Sequence, residues 1–320
     1  MPDRDDADLT CVEIRDETEF RKHRDDPRAC LHILDGTYPV ISSTARIKSI
    51  FSGARVEQVL GRTRIGSLRG STSVQVIGAE AVVDCVCDSA AIGYLRDAAT
   101  VRRLCDSARI GFASDRARIR SVEDWSTVGS VAGAARIGGV RDQCRIGDVR
   151  GAATVALVTG QAAVGSIDGD AVIGSLAGSA AVHRVGGAAA VTATGTSRVH
   201  AYGGSVTATP LVTVYRHAPA ARIAGGTVID VSRPGTDPLA WAEHAGVRTV
   251  DGVLVLYRAS GDIEGSRLTS HPLAGDVGRA ETRFVACAVD VADAVVVDEE
   301  TVTARSWRVL HEVDESGNRV

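Results

Sequence analysis

One apolar position recurs every nine residues through the middle of the chain. Counting from Ile47 in steps of nine, all seventeen positions hold Ile or Val. We call these the anchors: Ile47, Val56, Ile65, Val74, Val83, Ile92, Val101, Ile110, Ile119, Val128, Ile137, Ile146, Val155, Val164, Ile173, Val182 and Val191. A fixed period of this kind predicts a repeat architecture in which every unit buries the same position.

The positions around each anchor recur as well. A small residue lies two positions before the anchor, an aliphatic residue lies three after it (except at Ala113 and Thr194), and Gly or Asp lies five after it in fourteen of the seventeen repeats. Residues two apart in a strand face the same side, so the small residue and the anchor both point inward. The step of three breaks the period of two and predicts a bend. Gly accepts positive φ and Asp can hydrogen-bond its own backbone, which is typical of a corner.

A helical interpretation of the repeat fails. Nine residues make about two and a half helical turns, so successive anchors would fall on opposite faces, and each interior Gly would destabilise the helix. The predicted fold class is therefore all-β, a β-solenoid of nine-residue repeats. Two repeats per coil are the expected geometry, and three per coil in a triangular section is the alternative.

The repeat divides the chain into three predicted parts: an N-terminal cap over residues 1–44, the solenoid over 45–231, and a small α+β domain over 237–320. The cap is expected to hold a short helix over Asp16–Arg24 and strands on either side of the Asp35-Gly36 turn. After Val191 the spacing becomes irregular. The C-terminal domain is expected to begin with a helix over Leu239–His244 and to shield the last coil. Its strands are predicted at Val253–Tyr257, Arg283–Val289, Ala294–Val297 and Ala304–Val313.

Composition supports this architecture. Hydrophobic residues make up 44% of the chain but aromatic residues only 4%, as expected for a thin core of Val, Ile and Ala. Residues 45–200 carry 19 basic and 13 acidic side chains, whereas both ends are acidic. A strong nucleic-acid binder usually has a larger and more clustered basic excess, so nucleic acid is not the favoured partner.

The seven cysteines include no CxxC pair, and Cys85 and Cys87 are too close in sequence for an easy disulfide. Reduced thiols in a cytoplasmic protein are the expectation. The N-terminus is acidic without an apolar segment, so no signal peptide is predicted. No run of about 18 apolar residues occurs, which argues against a membrane span.

Three segments, Asp237–His244, Val255–Ala259 and Arg283–Val289, together with the repeat, resemble uncharacterised actinobacterial and actinophage proteins. Those proteins join a similar repeat array to a small C-terminal domain. The resemblance covers most of the chain and implies no known activity. Many of those proteins carry a longer, Gly-rich insertion with a His before the last segment. Here the region, 260–282, is short, so a function located there is not carried over.

The acidic corners raise one candidate chemistry. Asp recurs at nine-residue spacing from Asp88 to Asp124, as in calcium-binding β-rolls. Those proteins need a Gly-Gly-x-Gly-x-Asp loop and six to eight oxygen ligands, whereas this chain offers one carboxylate per corner. A structural role at the corner is therefore the favoured interpretation, and no metal or cofactor is predicted.

Arginines that precede anchors point outward and form the candidate partner surface: Arg109, Arg118, Arg136 and Arg145. The simpler interpretation is a solvated face paired with corner aspartates, in which each exposed pair contributes about 0–1 kcal/mol. Among enzymes, Tyr257-Arg258, Thr269-Ser270 and Glu281 loosely resemble the order of active-site motifs in ADP-ribosyltransferases. Hexapeptide acyltransferases have a period of six and a catalytic His, so they do not fit.

The leading functional hypothesis is a non-enzymatic scaffold that presents a mildly basic face and a C-terminal docking domain to a partner, most simply a protein. No catalytic residue is predicted, and a monomer or small homo-oligomer is expected. Two alternatives remain. One is an enzyme or effector with its activity in the C-terminal domain. The other is a polymer-forming scaffold like the bactofilins, against which the predicted caps argue.

Overall fold

The computed structural model describes residues 10–51, 53–231, 238–250, 252–259, 267–270, 284–296, 301–304, 306–313 and 319. Its contacts separate two compact units. The first comprises Met1–Val214 and Ala220–Thr227, and the second comprises Tyr215–Pro219 and Val228–Val320. The fold is nearly all β, with 57% strand and 6% helix, and consists of a parallel β-solenoid of about 12 turns followed by a small C-terminal sheet region. The predicted fold class is confirmed.

The first unit contains one helix, α1 (Glu17–His23). Its strands are β1 (Thr10–Ile14), β2 (Ala29–Ile33), β3 (Thr37–Ile41), β4 (Arg46–Ile50), β5 (Arg55–Val59), β6 (Arg64–Leu68), β7 (Ser73–Ile77), β8 (Val82–Val86), β9 (Ala91–Leu95), β10 (Thr100–Leu104), β11 (Arg109–Ala113), β12 (Arg118–Val122), β13 (Thr127–Val131), β14 (Arg136–Val140), β15 (Arg145–Val149), β16 (Thr154–Val158), β17 (Ala163–Ile167), β18 (Val172–Leu176), β19 (Ala181–Val185), β20 (Ala190–Ala193), β21 (Arg198–Ala201), β22 (Ser205–Arg216) and β23 (Arg222–Asp230). The units divide within β22 and β23.

Each solenoid strand pairs in parallel with the strand two places along the chain, not with its neighbour in sequence. In β11, for example, Ile110 lies opposite Ile92 of β9 on one side and Val128 of β13 on the other. The offset of 18 residues confirms two repeats per coil. Two ladders result, which we call the even sheet (β1, β2 and the even-numbered strands from β4 to β22) and the odd sheet (β3 to β21).

Both sheets share one core. The anchors, the aliphatic residues three positions later and the small residues two positions earlier are buried throughout, and they form a single cluster. Where a small position is Thr or Ser, the hydroxyl donates to the carbonyl three residues earlier, as Thr63 does to Leu60 at 2.7 Å and Ser126 to Glu123 at 2.6 Å. These bonds satisfy polar atoms that burial would otherwise leave without water.

The predicted corners adopt the left-handed conformation. The residue five after the anchor has positive φ in every described repeat from Gly61 to Gly187, including the six aspartates from Asp88 to Asp142. The left-handed conformation costs more free energy for Asp than for Gly, because Asp has a Cβ. An additional contact offsets that cost: each Asp carboxylate accepts the backbone N–H of the corner residue one coil earlier, as Asp88 accepts from Gly70 at 2.9 Å. The expected bond from Asp to its own backbone is replaced by this bond between coils.

The N-terminal region begins the parallel ladder earlier than the repeat does. β2 pairs with β4 and β3 pairs with β5, both in parallel. The helix predicted there is α1, whose N-cap Asp16 accepts from Glu19 N–H at 2.9 Å. Its one buried residue, Phe20, meets Tyr38 of β3 edge-on, with ring centroids 6.0 Å apart. The region therefore adds three strands, β1, β2 and β3, to the sheets of the solenoid, and its helix adds an aromatic side chain to the core.

The period slips where the sequence indicated. The strands β20 and β21 are four residues long instead of five, and the register shifts between β18 and β20. The corner after β20 falls on Gly195 (φ 69), one position earlier than the nine-residue count predicts. A repeat of eight residues thus keeps the glycine at the corner by shortening the strand.

The second unit contains the helix α2 (Pro238–His244), which confirms the predicted C-terminal helix. Its antiparallel sheet comprises β24 (Thr249–Val250), β25 (Val253–Ala259), β26 (Arg267–Thr269), β27 (Phe284–Asp290), β28 (Ala294–Val296), β29 (Thr301–Ala304) and β30 (Arg308–Val313), with a 3-10 helix at Val291–Asp293. The strand predicted over Ala304–Val313 is wrong in extent, because β29 and β30 lie on opposite sides of the sheet order. β26 was not predicted. The core of this unit includes Trp241, Leu254 and Leu256.

Candidate interaction surface

Each solenoid strand offers three outward positions: one before the anchor, and one and two after it. Successive strands belong to different sheets, so equivalent positions of different repeats share a surface only if they are 18 residues apart or a multiple of that. The chemistry of each sheet must therefore be read separately. This separation decides where the predicted partner surface lies.

The four predicted arginines divide between the two sheets. Arg118 of β12 and Arg136 of β14 are direct neighbours in the even sheet. Arg109 of β11 and Arg145 of β15 lie in the odd sheet, two coils apart, with Thr127 of β13 between them. All four are exposed, as the pattern predicted. The structure brings together two of them and separates that pair from the other two.

The even sheet adds three arginines that the sequence interpretation missed. In β10, β12 and β14 the outward positions carry five arginines and no carboxylate, and we call this set the arginine patch: Arg102, Arg103, Arg118, Arg120 and Arg136. Arg102, Arg103 and Arg120 were overlooked because they follow their anchors instead of preceding them. Counting in steps of 18 places Arg102 and Arg120 at the same position of successive coils, and Arg103 follows Arg102 in the same strand.

The patch is only partly neutralised. Arg102 reaches Asp84 of β8 at 3.0 Å, and Arg103 lies 3.8 Å from Glu123 in the turn after β12. Within the described part of the chain, no ion pair involves the side chains of Arg118, Arg120 or Arg136. Stacked coils place such side chains about 4.8 Å apart, and like charges directly opposite one another destabilise a sheet. The patch thus accumulates positive charge at a cost in stability.

An exposed tryptophan borders the patch. Trp125 follows the corner Asp124 at the end of β12, in the same coil as Arg118 and Arg120, and 65% of it is exposed. Its backbone N–H donates to Asp106 O at 2.9 Å, which holds this turn against the preceding coil. Trp and Arg are the residues most enriched at the centres of protein interfaces.

The odd sheet has a different surface over the same coils. Glycine occupies the position after the anchor in five consecutive strands, from Gly93 to Gly165. Beside this stripe Tyr94 and Phe112 lie with their ring centroids 6.2 Å apart, and the Arg150 guanidinium lies 5.4 Å from the Phe112 centroid. This surface is flatter and less charged than the arginine patch.

The corner aspartates form a hydrogen-bonded series along the edge that follows the even strands. Asp106 accepts from Asp88 N–H at 3.0 Å, Asp124 from Asp106 N–H at 3.1 Å, and Asp142 from Asp124 N–H at 3.2 Å. One oxygen of each carboxylate is therefore used to join coils. This contact supports the structural interpretation of the acidic repeat over a calcium-binding one.

In the C-terminal unit the enzymatic candidates are only partly described. Thr269 lies opposite Tyr257 and donates to its carbonyl at 3.2 Å. Arg258 is 5% exposed, and its guanidinium lies 4.8 Å from the Trp307 ring centroid. Among the described residues, neither terminal nitrogen of Arg258 has a hydrogen-bond acceptor. Glu281 lies outside the described residues, so the Arg, Thr-Ser and Glu arrangement stays a prediction.

Comparisons of the chain with protein-family models, with curated proteins and with solved structures find no match. In the described residues, no helix has both the length and the apolar character needed to cross a membrane.

Proposed function

We propose that this protein is a β-solenoid scaffold whose arginine patch binds an acidic protein partner. The observation that carries the proposal is the concentration of five arginines on three neighbouring strands of one sheet, three of them without an ion pair in the described part of the chain. If the surface met only solvent, stacking like charges on it would not stabilise the protein. On a binding surface the same charges contribute to affinity, because the partner's carboxylates act as counter-ions and accept paired hydrogen bonds from each guanidinium group.

Two features favour a protein over a nucleic acid. The patch is bordered by one exposed aromatic side chain, Trp125, whereas single-stranded nucleic acids are usually held by several aromatic side chains in series. The corner carboxylates of Asp88, Asp106, Asp124 and Asp142 lie along the edge that follows the even strands, where they would repel a phosphate backbone longer than the patch. A compact acidic surface on a protein avoids that edge.

The test uses poly-L-glutamate as the acidic polypeptide probe. Binding is measured at low salt by titration calorimetry and by Trp125 fluorescence, with Trp125→Phe to separate that signal from Trp241 and Trp307. Replacing Arg118, Arg120 and Arg136 together by Gln should weaken binding about tenfold or more, which corresponds to about 1.4 kcal/mol. The remaining binding should decline as salt rises.

The matched control replaces Arg55, Arg109 and Arg145 of the odd sheet by Gln, which removes the same charge from the other surface. This variant should bind the probe as the unaltered chain does. Equal losses in both triple variants would show that net charge, and not the patch, is responsible. Tighter binding of duplex DNA than of poly-L-glutamate at equal salt, abolished by the even-sheet substitutions, would replace the protein partner by a nucleic acid.

A further inference from the structure

Three cysteine thiols meet beside the arginine patch. Cys85 lies two positions after its anchor in β8, while Cys87 and Cys105 occupy the first turn position after β8 and β10, one coil apart. All three sulfur atoms lie within 4.8 Å of one another, and the Sγ atoms of Cys85 and Cys105 are 3.7 Å apart. The proposed function does not use this cluster.

The spacing suits a thiolate-bound metal ion. A zinc–sulfur bond of about 2.3 Å places two sulfur ligands about 3.8 Å apart in a tetrahedral site and about 4.0 Å apart in a trigonal one. The Cys85–Cys105 distance of 3.7 Å and the upper limit of 4.8 Å for all three pairs lie on either side of these values. Small side-chain rotations are therefore enough to bring the three sulfur atoms within bonding distance of one ion. Cys87 (6% exposed) and Cys105 (3% exposed) are the buried members of the cluster. Cys85 is half-buried, so the cluster is accessible to solvent on its side.

The three thiols hold their protons at neutral pH, so a metal ion would have to displace those protons. Burial raises the pKa of Cys85, Cys87 and Cys105, the last to about 11, so the free thiols are protonated at neutral pH. A hydrogen bond with Arg103 lowers the pKa of Cys105 by less than burial raises it. The same guanidinium can balance the negative charge that three thiolates give to a complex with a divalent ion.

We propose that Cys85, Cys87 and Cys105 form a three-thiolate site for a thiophilic divalent cation of the zinc group, with its fourth position open to water. Binding replaces three S–H protons by three metal–sulfur bonds and releases the protons to solvent, with no change of oxidation state. Since the ligands come from two successive coils, the ion cross-links β8 to β10. Soft thiolate ligands select such ions over magnesium or calcium.

Cadmium is the probe, because its thiolate complexes absorb in the ultraviolet through charge transfer. Among the described residues, Cys11, Cys30 and His32 form another group that could hold a metal ion, so the titration is made in reduced protein carrying Cys11→Ser. One cadmium per chain should bind, with a charge-transfer band and a higher melting temperature. Adding Cys85→Ser should remove the band and weaken cadmium binding about 100-fold or more. Replacing a residue that only hydrogen-bonds to a metal ligand already lowers metal affinity about 10–100-fold, and Cys85 would be a ligand itself.

Two features keep the outcome interpretable. Ser67 occupies the position of Cys85 in the preceding coil, and Ser121 occupies it two coils later, so Cys85→Ser should fold normally. Cys144→Ser, which removes a buried thiol outside the cluster, should leave the band unchanged. Binding should tighten as pH rises, because protons compete for thiols whose pKa is raised. Absence of the band in the reduced chain, its survival in Cys85→Ser, or oxidation of Cys85 and Cys105 to a disulfide without cadmium binding by the reduced form would overturn the proposal.

Discussion

The even and odd sheets are built from the same nine-residue unit and share one core, yet they present different surfaces to solvent. Over the coils from β10 to β15, the even sheet carries five arginines and no acid, while the odd sheet carries two arginines, one aspartate and a stripe of glycines. Inward positions repeat every nine residues because both strands of a coil face one core. Outward positions are free to repeat every 18. A repeat protein can therefore hold its fold constant while the two surfaces acquire separate chemistry.

The largest effect should be the same on both sheets. Ile119→Ala in the even sheet and Ile110→Ala in the odd sheet each empty a buried anchor position, and each should lower the free energy of unfolding by about 2–5 kcal/mol. Chemical denaturation of the two variants measures this. If the free energy of unfolding fell far more in one variant than in the other, the two strands of a coil would not contribute equally to the shared core.

A glycine one position after an anchor should tolerate a side chain less well than a glycine two positions after it. A Cβ built on Gly129 of the odd sheet would lie 2.5 Å from the carbonyl oxygen of Gly111, whereas on Gly139 of the even sheet its nearest neighbour is Arg141 Nε at 4.0 Å. Gly129→Ala should therefore destabilise the chain by about 1–3 kcal/mol. Gly139→Ala should be neutral or stabilise by up to about 1 kcal/mol. Equal melting temperatures for the two variants would show that the position after the anchor tolerates a side chain.

The corners should show a smaller effect. Asp106→Ala keeps a Cβ at φ 57 and removes the acceptor for Asp88 N–H, so it should cost about 1–2 kcal/mol in the free energy of unfolding. Asp106→Asn retains an acceptor and tolerates the left-handed conformation, so its loss should be under about 0.5 kcal/mol. A large loss in the Asn variant would instead assign the stabilisation to the negative charge.

The smallest effect concerns the edge of the arginine patch. Arg102 and Asp84 form an ion pair at 3.0 Å, with side chains 56% and 52% exposed. Arg102→Gln should change the free energy of unfolding by no more than about 1 kcal/mol, and the difference should shrink as salt rises. A larger or salt-independent loss would mean that Arg102 packs on the sheet and does more than pair with Asp84.

The sequence determined the repeat, the inward positions and the corners, because burial and backbone conformation leave a local record at nine-residue spacing. The anchors and the residues with positive φ follow that record, and the helices α1 and α2 follow their own local signals. Local signals also predicted strands on either side of the Asp35-Gly36 turn, but they did not predict that β2 and β3 join the parallel ladder of the solenoid.

Only the tertiary structure decided which outward residues share a surface. The number of repeats in a coil is set by the closure of backbone hydrogen bonds between coils, and no single repeat records it. That number separates Arg109 and Arg145 from Arg118 and Arg136, and it adds Arg102, Arg103 and Arg120 to the latter pair. It also brings the sulfur of Cys105 within 3.7 Å of Cys85, twenty residues earlier in the chain. Surface chemistry in a solenoid therefore depends on coil length, while its core depends on the repeat alone.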